Sequence, residues 1–267
     1  MLRVISVANQ KGGVGKTTTS VNLAASLAAT KRRVLLIDLD PQGNASMGSG
    51  VDKNEVETSI YDVLVEGMSL AEAAQKPEDI GYHVIASNID LSGAEIHLLD
   101  QENREHILKK AVEQVREDYD FVLIDCPPSL NMLTINALVA SESVLIPMQC
   151  EYYALEGLSA LMDTINKIRS ALNPDLVIEG LLRTMYDPRN KLAQQVTEQL
   201  HRYFGDKVYR TVIPRNIRLA EAPSYGMPVL NYDKTSKGAQ AYLALAGEML
   251  RRQKTTEKEE VAEFESA

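Results

Sequence analysis

A short stretch rich in glycine and lysine, residues 11–18, most constrains what this chain can form. It reads Lys-Gly-Gly-Val-Gly-Lys-Thr-Thr and lies between an apolar run, residues 4–8, and a segment of helical composition, residues 20–28. A strand, a glycine-rich turn and a helix make a cradle for phosphate, because glycines let the backbone approach the anion and the helix N-terminus is positively polarised. In such a cradle Lys16 reaches the β- and γ-phosphates of a nucleotide, and Thr17 offers its hydroxyl to Mg²⁺.

The match to the usual phosphate-binding pattern, G-x-x-x-x-G-K-[ST], is incomplete at one position. The pattern requires glycine where this chain has Gln10, and a second lysine, Lys11, follows directly. A chance glycine-rich turn at the start of a helix is the alternative. The strand and helix on either side are the context that the motif requires, so we interpret residues 11–18 as a phosphate loop.

Two other apolar runs end in acidic residues. Residues 33–38 end in Asp38, with Asp40 two residues later, and residues 119–125 end in Asp125, with two prolines after Cys126. Ligands bind at the carboxyl ends of strands in open parallel sheets. An acid there is typical of a Walker-B carboxylate that faces Mg²⁺ through water. For Asp125 alone, an acid that only caps a turn is an equal alternative, and the upstream phosphate loop favours the metal.

Strand-like and helix-like segments alternate along the chain, and no internal repeat is visible. The alternation predicts an α/β fold: a single-domain P-loop NTPase with a mostly parallel, twisted sheet flanked by helices on both faces. We place this domain at residues 1–252. Residues 253–267 are charged and lack an apolar stripe, which predicts a disordered tail.

Composition and charge restrict the classes of function. No apolar run approaches the length of a membrane span and no signal peptide is visible, which predicts a cytoplasmic protein. Cys126 and Cys150 fit a reducing compartment, and we expect both to be small buried apolar residues. The net charge is −9, yet residues 183–252 contain 12 Lys and Arg against 6 Asp and Glu. This basic third could face a polyanion, and an ordinary solvated surface is the equal alternative.

Three motifs together resemble the ParA/MinD family of deviant Walker-A ATPases. They are residues 11–18, the run Asp-Leu-Asp-Pro-Gln-Gly-Asn at 38–44, and the run Ile-Asp-Cys-Pro-Pro at 124–128. The runs at 150–157 and 212–216 are similar to the ParA branch of that family. The similarity spans residues 2–250, and this combination is far more specific than a glycine loop alone.

The resemblance implies ATP and Mg²⁺ as cofactors. Lys16 would bind the β- and γ-phosphates, and Thr18 would help to hold the α-phosphate. Thr17 would ligate Mg²⁺, with Asp38 and Asp125 supporting the metal through water. The implied nucleotide-binding residues are Lys11, Gly12, Gly13, Val14, Gly15, Lys16, Thr17 and Thr18 at the phosphates, and Met185, Pro214 and Asn216 around the adenine.

The resemblance also assigns catalytic roles to Lys11, Lys16 and Asp40. Asp40 would position the attacking water. Lys11 would reach across a nucleotide-sandwich dimer to the phosphates held by the second copy, where it can offset transition-state charge. Gly12 would lack a side chain because two loops meet there.

Partners follow from the same resemblance. They are a second copy of the chain in an ATP-dependent homodimer, non-specific double-stranded DNA, and a partition protein of the ParB/Spo0J type that stimulates slow hydrolysis. The implied function is a switch for chromosome or plasmid partitioning, in a cytoplasmic, nucleoid-associated protein. Arg189 and Arg218 match DNA-binding positions of the family. Further candidates, for each of which an ordinary surface charge is the favoured alternative, are Lys191, Arg215, Lys234, Lys237 and Arg251.

Two expected absences narrow this interpretation. The first strand begins at residue 2, so we expect no helix-turn-helix domain before it and no sequence-specific reading of DNA. The tail is acidic and has no apolar face to insert, so we expect no membrane docking. Two alternatives stay open: a metabolic P-loop enzyme of the dethiobiotin-synthetase kind, and a MinD-like membrane-positioning ATPase.

Overall fold

A seven-stranded sheet, in the order β3-β2-β4-β1-β5-β6-β7, runs through the described chain. The computed structural model describes the backbone of residues 2–266 and the side chains of residues 2–254. Every pairing between these strands is parallel, so the predicted α/β P-loop fold is confirmed. The strands are β1 Arg3–Val7, β2 Val34–Asp38, β3 His83–Ile85, β4 Phe121–Asp125, β5 Ser143–Gln149, β6 Val177–Tyr186 and β7 Val208–Pro214.

The central strands are mostly apolar because helices cover both faces of the sheet. Along β2, Leu35 and Ile37 join one buried cluster, whereas Val34 and Leu36 join the other. Such continuous apolar runs are typical of parallel strands that are buried on both faces. The first cluster includes residues of helices α4 to α8, and the second includes residues of α1 and α11.

The helices differ widely in length. The long ones pack on the sheet, and the short ones shape the loops between them. The bounds are α1 Lys16–Ala29, α2 Asn44–Met47, α3 Leu70–Ala73, α4 Leu91–Leu99, α5 Ile107–Glu113, α6 Met132–Ala140, α7 Ala154–Ala171, α8 Lys191–Phe204, α9 Ile217–Glu221, α10 Val229–Tyr232 and α11 Lys237–Ser266.

The last helix continues further than the predicted end of the domain. We placed the boundary at residue 252, but the backbone of α11 is helical to Ser266. The side chains of residues 255–267 lie outside the described residues, so a separate charged tail stays a prediction.

The strand register brings three motifs to one edge of the sheet. Val7, which leads into the phosphate loop, is paired with Asp125 across β1 and β4. Asp38 is paired with the same Asp125 across β2 and β4. The loop and both strand-end acids therefore meet at the carboxyl ends of three adjacent strands.

Among the described residues, no helix combines the length and apolar character that crossing a bilayer requires.

Candidate functional site

The phosphate loop enters α1 without a side-chain cap. Gly13 and Gly15 have φ angles of +72° and +87°, in the left-handed region that favours glycine. Gly15 is the N-cap of α1, no side chain hydrogen-bonds to the start of this helix, and its first turn contains no acid. The unsatisfied N–H groups of a helix start carry partial positive charge. The loop therefore fits an anion such as a phosphate group.

Lys16 lies buried within this loop, with 7% of its surface exposed. Its Nζ donates a hydrogen bond to the backbone oxygen of Lys11 at 3.2 Å. Burial lowers the pKa of Lys16, and the nearby Asp125 is the largest of the effects that oppose this. An ammonium has three donors, so phosphate oxygens can serve as further acceptors for this buried charge.

Asp125 is fully buried and is held by two hydroxyls of α1. Thr17 Oγ1 donates to its Oδ2 at 2.8 Å, and Ser20 Oγ donates to its Oδ1 at 2.7 Å. The role of Ser20 was not predicted. Ser20 follows Lys16 by four residues, which places both on the same side of α1, and this spacing could have indicated the contact. The hydroxyl and the carboxylate predicted to serve Mg²⁺ are thus in direct contact.

Asp38 is also fully buried, and its carboxylate shapes the loop after β2. Ser46 donates to its Oδ2 from both N and Oγ at 2.8 Å, and the backbone N of Asp40 donates to its Oδ1 at 3.2 Å. Asp40 itself accepts a hydrogen bond from the backbone N of Gln42 at 3.0 Å. Asp38 therefore orients the segment that carries Asp40.

Burial raises the pKa of both strand-end acids above the ordinary carboxyl range. For Asp125 the charge of neighbouring Asp38 raises it further, while the hydroxyls of Ser20 and Thr17 oppose the shift. For Asp38 the hydrogen bonds from Ser46 and Asp40 oppose it. Two buried carboxyls side by side resist ionisation, and a bound divalent cation would favour their ionised forms.

The donor set fits Mg²⁺ held together with a nucleotide rather than a metal cage built by the protein alone. Within residues 2–254 no group of three or more His, Cys, Asp or Glu side chains is placed to hold a metal. Mg²⁺ commonly uses one or two carboxylates and completes its shell with water and substrate phosphates. Thr17, Asp38 and Asp125 supply oxygen donors of that kind.

The raised pKa values predict a pH dependence of stability without Mg²⁺ or nucleotide. A carboxyl whose pKa is raised on folding stabilises the fold while protonated, and this contribution is lost as pH rises from about 4 through the raised value. Asn at position 125 is neutral at every pH. We therefore expect the melting temperature of Asp125→Asn to rise relative to the wild type between pH 5 and pH 8. A constant difference would contradict a raised pKa, and Asp120→Asn, at an acid whose pKa is lowered, is the control.

The side chain of Lys11 pairs with a residue outside the phosphate loop. Its Nζ forms an ion pair with Glu151 Oε2 at 2.6 Å, and the two side chains are 41% and 52% exposed. No role was predicted for Glu151. An exposed pair contributes about 0.2–1 kcal/mol, so Lys11 can leave Glu151 readily for a stronger anion.

The three predicted adenine residues lie at the carboxyl ends of β6 and β7. Met185 has a φ of +48°, and its sulfur accepts a hydrogen bond from Gln149 Nε2. Pro214 ends β7 opposite Tyr186 of β6. Asn216 caps α9, where its Oδ1 accepts from the backbone N of Leu219 at 3.3 Å. All three lie at the same edge of the sheet as the phosphate loop.

Thr184 joins this region to the phosphate loop. Its Oγ1 donates to the backbone oxygen of buried Val14 at 2.7 Å. A side chain of β6 thus holds the loop that follows β1. No sequence signal indicated this contact, because the two residues are 170 positions apart.

The two arginines predicted to bind DNA are exposed, and neighbouring acids pair with both. Arg189 contacts Asp187 through Nε and Nη2 at 3.0 and 2.8 Å. Arg218 contacts Glu221 at 2.8 Å and Asp233 at 3.4 Å. Their charge is partly neutralised in the protomer, and a polyanion would compete with these acids. The further candidates are also exposed: Lys191, Arg215, Lys234, Lys237 and Arg251.

The expectation for the two cysteines is met, since Cys126 and Cys150 are free and buried. Burial raises the pKa of both thiols. They are therefore poor nucleophiles and poor metal ligands at neutral pH.

A glycine loop around a buried lysine, beside a hydroxyl and two strand-end acids on a parallel sheet, defines a P-loop nucleoside triphosphatase. A family model described as an AAA domain matches residues 2–178. Relatives named Soj and ParA match nearly the whole chain. The chain belongs to the ParA/MinD family of deviant Walker-A ATPases.

Three comparisons show how far the similarity extends. The sporulation initiation inhibitor protein Soj of Bacillus subtilis is 55% identical over 249 residues, which is 93% of this chain and 98% of that protein. The chromosome partitioning protein ParA of Caulobacter vibrioides is 53% identical over 255 residues, covering 95% and 96%. A crystal structure of cobyrinic acid a,c-diamide synthase from Mycobacterium smegmatis, with bound ADP and magnesium, has a TM-score of 0.84 and 39% identity, covering 96% of this chain and 97% of that one.

Proposed function

We propose that the protein is an ATP-dependent switch for chromosome or plasmid partitioning. ATP with Mg²⁺ binds in the loop of residues 11–18 and closes a dimer of two chains around two nucleotides. The dimer holds double-stranded DNA without sequence preference, and a ParB-type partner stimulates slow hydrolysis that releases it. The observation that carries the proposal is that the ammonium of Lys11 pairs with Glu151, whereas the ammonium of Lys16 hydrogen-bonds to the backbone of the loop.

Each site residue has a defined task in this cycle. Lys16 and the backbone N–H groups of the loop bind and orient the phosphates. Bound Mg²⁺ would neutralise phosphate charge, with Thr17, Asp38 and Asp125 as its protein-side donors. Asp40, positioned by Asp38, accepts a hydrogen bond from the attacking water. Phosphoryl transfer depends mostly on such positioning and charge neutralisation.

A lysine that acts on the nucleotide of the second copy makes hydrolysis depend on dimerisation. Lys11 satisfies the steric requirement, because it is exposed and exchanges one weak ion pair for the phosphates of the second copy. The names of the relatives from Bacillus and Caulobacter support a partitioning role.

Gly12 offers a test of the dimer. A Cβ at this position would meet nothing within 4 Å in the protomer, and its φ is not in the left-handed region. We therefore expect Gly12→Val to fold and bind ATP normally but to stay monomeric with ATP, because the added side chain blocks the close approach of a second loop. Light scattering and nucleotide titration measure the two properties.

The dependence of the ATPase rate on protein concentration shows whether hydrolysis requires the dimer. Per protomer it should rise with protein concentration in the wild type and stay flat and low in Gly12→Val, with Gly12→Ala in between. A wild-type rate per protomer that is independent of concentration would favour the metabolic-enzyme alternative. The similar Mycobacterium structure is named as a synthase, which is the observation that favours this alternative.

DNA binding is tested by charge reversal at Arg189. We expect Arg189→Glu to lose roughly tenfold or more in ATP-dependent affinity for arbitrary duplex DNA, because each protomer of the dimer loses a phosphate contact and gains a repulsion. Co-sedimentation with ATP, ADP and no nucleotide measures this. Arg33→Glu is the matched control, since Arg33 is also exposed and ion-paired, to Asp120, but lies before β2 at the opposite edge of the sheet. Equal losses in both variants would show that net charge, not this surface, is responsible.

A further inference from the structure

A patch of exposed apolar side chains lies beside α4 and outside the nucleotide site. Ile96 and Leu99 are on α4, Ile89 is in the turn before it, and Leu130 precedes α6. Their exposed fractions are 69%, 56%, 70% and 42% respectively. Leu130 is close to α4 because its neighbour Asn131 donates a hydrogen bond to Glu95 of that helix. We call these four residues the α4 patch.

The apolar side chains of the patch are not needed to hold α4 on the sheet. Leu91, Ala94 and Leu98 already bury the opposite side of the helix. A surface helix normally has one apolar stripe and one polar face. Contiguous exposed apolar side chains rimmed by polar residues are typical of an interaction site.

Acidic residues predominate in the segment that carries Ile89, Ile96 and Leu99, and we call them the acidic rim of the patch. Residues 88–105 contain five acids and one arginine. The arginine, Arg104, is paired with one of the acids at 3.3 Å. The five acids are Asp90, Glu95, Asp100, Glu102 and Glu105.

This charge excludes most occupants of the α4 patch. A two-fold contact between two copies would set the same acids against one another. Nucleic acid and anionic lipid surfaces carry the same sign of charge and are repelled. A segment with apolar residues on one side and Lys or Arg around them matches both the apolar centre and the acidic rim.

One residue of the patch, Leu130, belongs to the loop that follows Asp125. Leu130 lies five residues after Asp125, in the segment that joins β4 to α6. A segment bound at the patch would therefore contact the loop whose first residues follow Asp125. Because this loop begins at the candidate metal site, a segment bound at the patch could change the rate of nucleotide turnover.

We propose that the α4 patch docks a basic amphipathic segment of a partner protein. The proposal deepens the proposed function by locating a partner surface beside the Asp125 loop. Its test measures docking alone, without nucleotide or DNA, so the two can fail separately.

The experiment uses the full-length protein and a labelled helical peptide with leucines on one face and lysines on the other. The same peptide with glutamates in place of lysines is the charge control. Fluorescence anisotropy at 0.15 M salt measures binding. We expect the lysine peptide to bind and the glutamate peptide not to bind.

Two variants locate the site. Ile96→Ser should weaken binding of the lysine peptide about tenfold, the cost of losing a buried isoleucine contact. Ile217→Ser removes an isoleucine of similar exposure, 74%, outside the patch, and should bind as the wild type does. Both changes are at exposed positions, and circular dichroism confirms folding.

Three results would overturn the proposal. The first is equal binding of the two peptides or no binding of the lysine peptide. The second is equal affinity in Ile96→Ser and the wild type. The third is self-association of the free protein that Ile96→Ser abolishes, which would assign the patch to a second copy.

Discussion

Asp40→Ala is expected to bind ATP and dimerise like the wild type but to hydrolyse ATP roughly 10²–10⁴-fold more slowly, the range for loss of a group that positions or deprotonates a nucleophile. Asp40 lies beside the phosphate loop, and its backbone N is held by Asp38. Removing the carboxylate removes the acceptor for the attacking water while the loop, Lys16 and Thr17 are left in place. The variant should therefore accumulate as a DNA-bound dimer, measured by single-turnover hydrolysis and by co-sedimentation with DNA.

The matched control is Asp52→Ala. Asp52 is an exposed acid in the same segment, and it likewise accepts a hydrogen bond from a backbone N two residues later. It should retain wild-type turnover. Normal turnover in Asp40→Ala would show that another group orients the water and that the assignment of Asp40 is wrong.

Lys16→Ala is expected to lose nucleotide affinity by roughly 10²–10³-fold. The buried ammonium is the side-chain charge within the loop, and removing one partner of a buried charge pair costs about 2–5 kcal/mol. Equilibrium titration with a fluorescent ATP analogue measures the loss. Lys16→Met retains most of the side-chain volume, so a loss in both variants cannot be attributed to a cavity in the loop.

Lys11→Ala tests whether the two lysines have different roles in ATP binding and hydrolysis. Because the side chain of Lys11 pairs with Glu151 and not with the loop, its removal should leave ATP affinity within a few-fold of the wild type while turnover falls. If Lys11→Ala lost affinity as severely as Lys16→Ala, both lysines would serve the nucleotide of their own protomer. The proposed dependence of hydrolysis on a second copy would then lose its basis.

The sequence predicted the phosphate loop and the strand-end acids because local chemistry determines both. Glycines with positive φ at positions 13 and 15 are required wherever the loop turns into α1. Asp38 and Asp125 end apolar runs that are fully buried as parallel strands. Adjacent parallel strands bring their carboxyl ends to one edge, so these motifs could be grouped before the strand order was known.

Side-chain partners from distant segments could not be predicted in this way. Thr184 supports the loop at Val14, and Glu151 pairs with Lys11 across 140 positions. Asn22 shows the same limit: it accepts from the backbone N of Val229 and donates to the backbone oxygen of Thr18, which ties α10 to α1. Nothing in the spacing of these residues indicates which of many polar side chains will meet.

The charge of the C-terminal third shows the difference between what the sequence and the tertiary structure reveal. Its excess of Lys and Arg is a property of the sequence, but the pairing of Arg189 with Asp187 and of Arg218 with Glu221 and Asp233 appears only in the folded chain. Likewise α4 has apolar residues on both of its sides, and only its packing decides that Ile96 and Leu99 face outward while Leu91 and Leu98 face the core.

By itself, the sequence determined the fold class, the phosphate loop and the acids beside it, because each depends on residues close together in the chain or on the common edge of a parallel sheet. The tertiary structure decided that Lys16 is buried against the backbone of the loop while Lys11 forms an exposed ion pair. The partner of Lys11 is Glu151, which follows β5 at the same edge and which no local pattern connects to the loop.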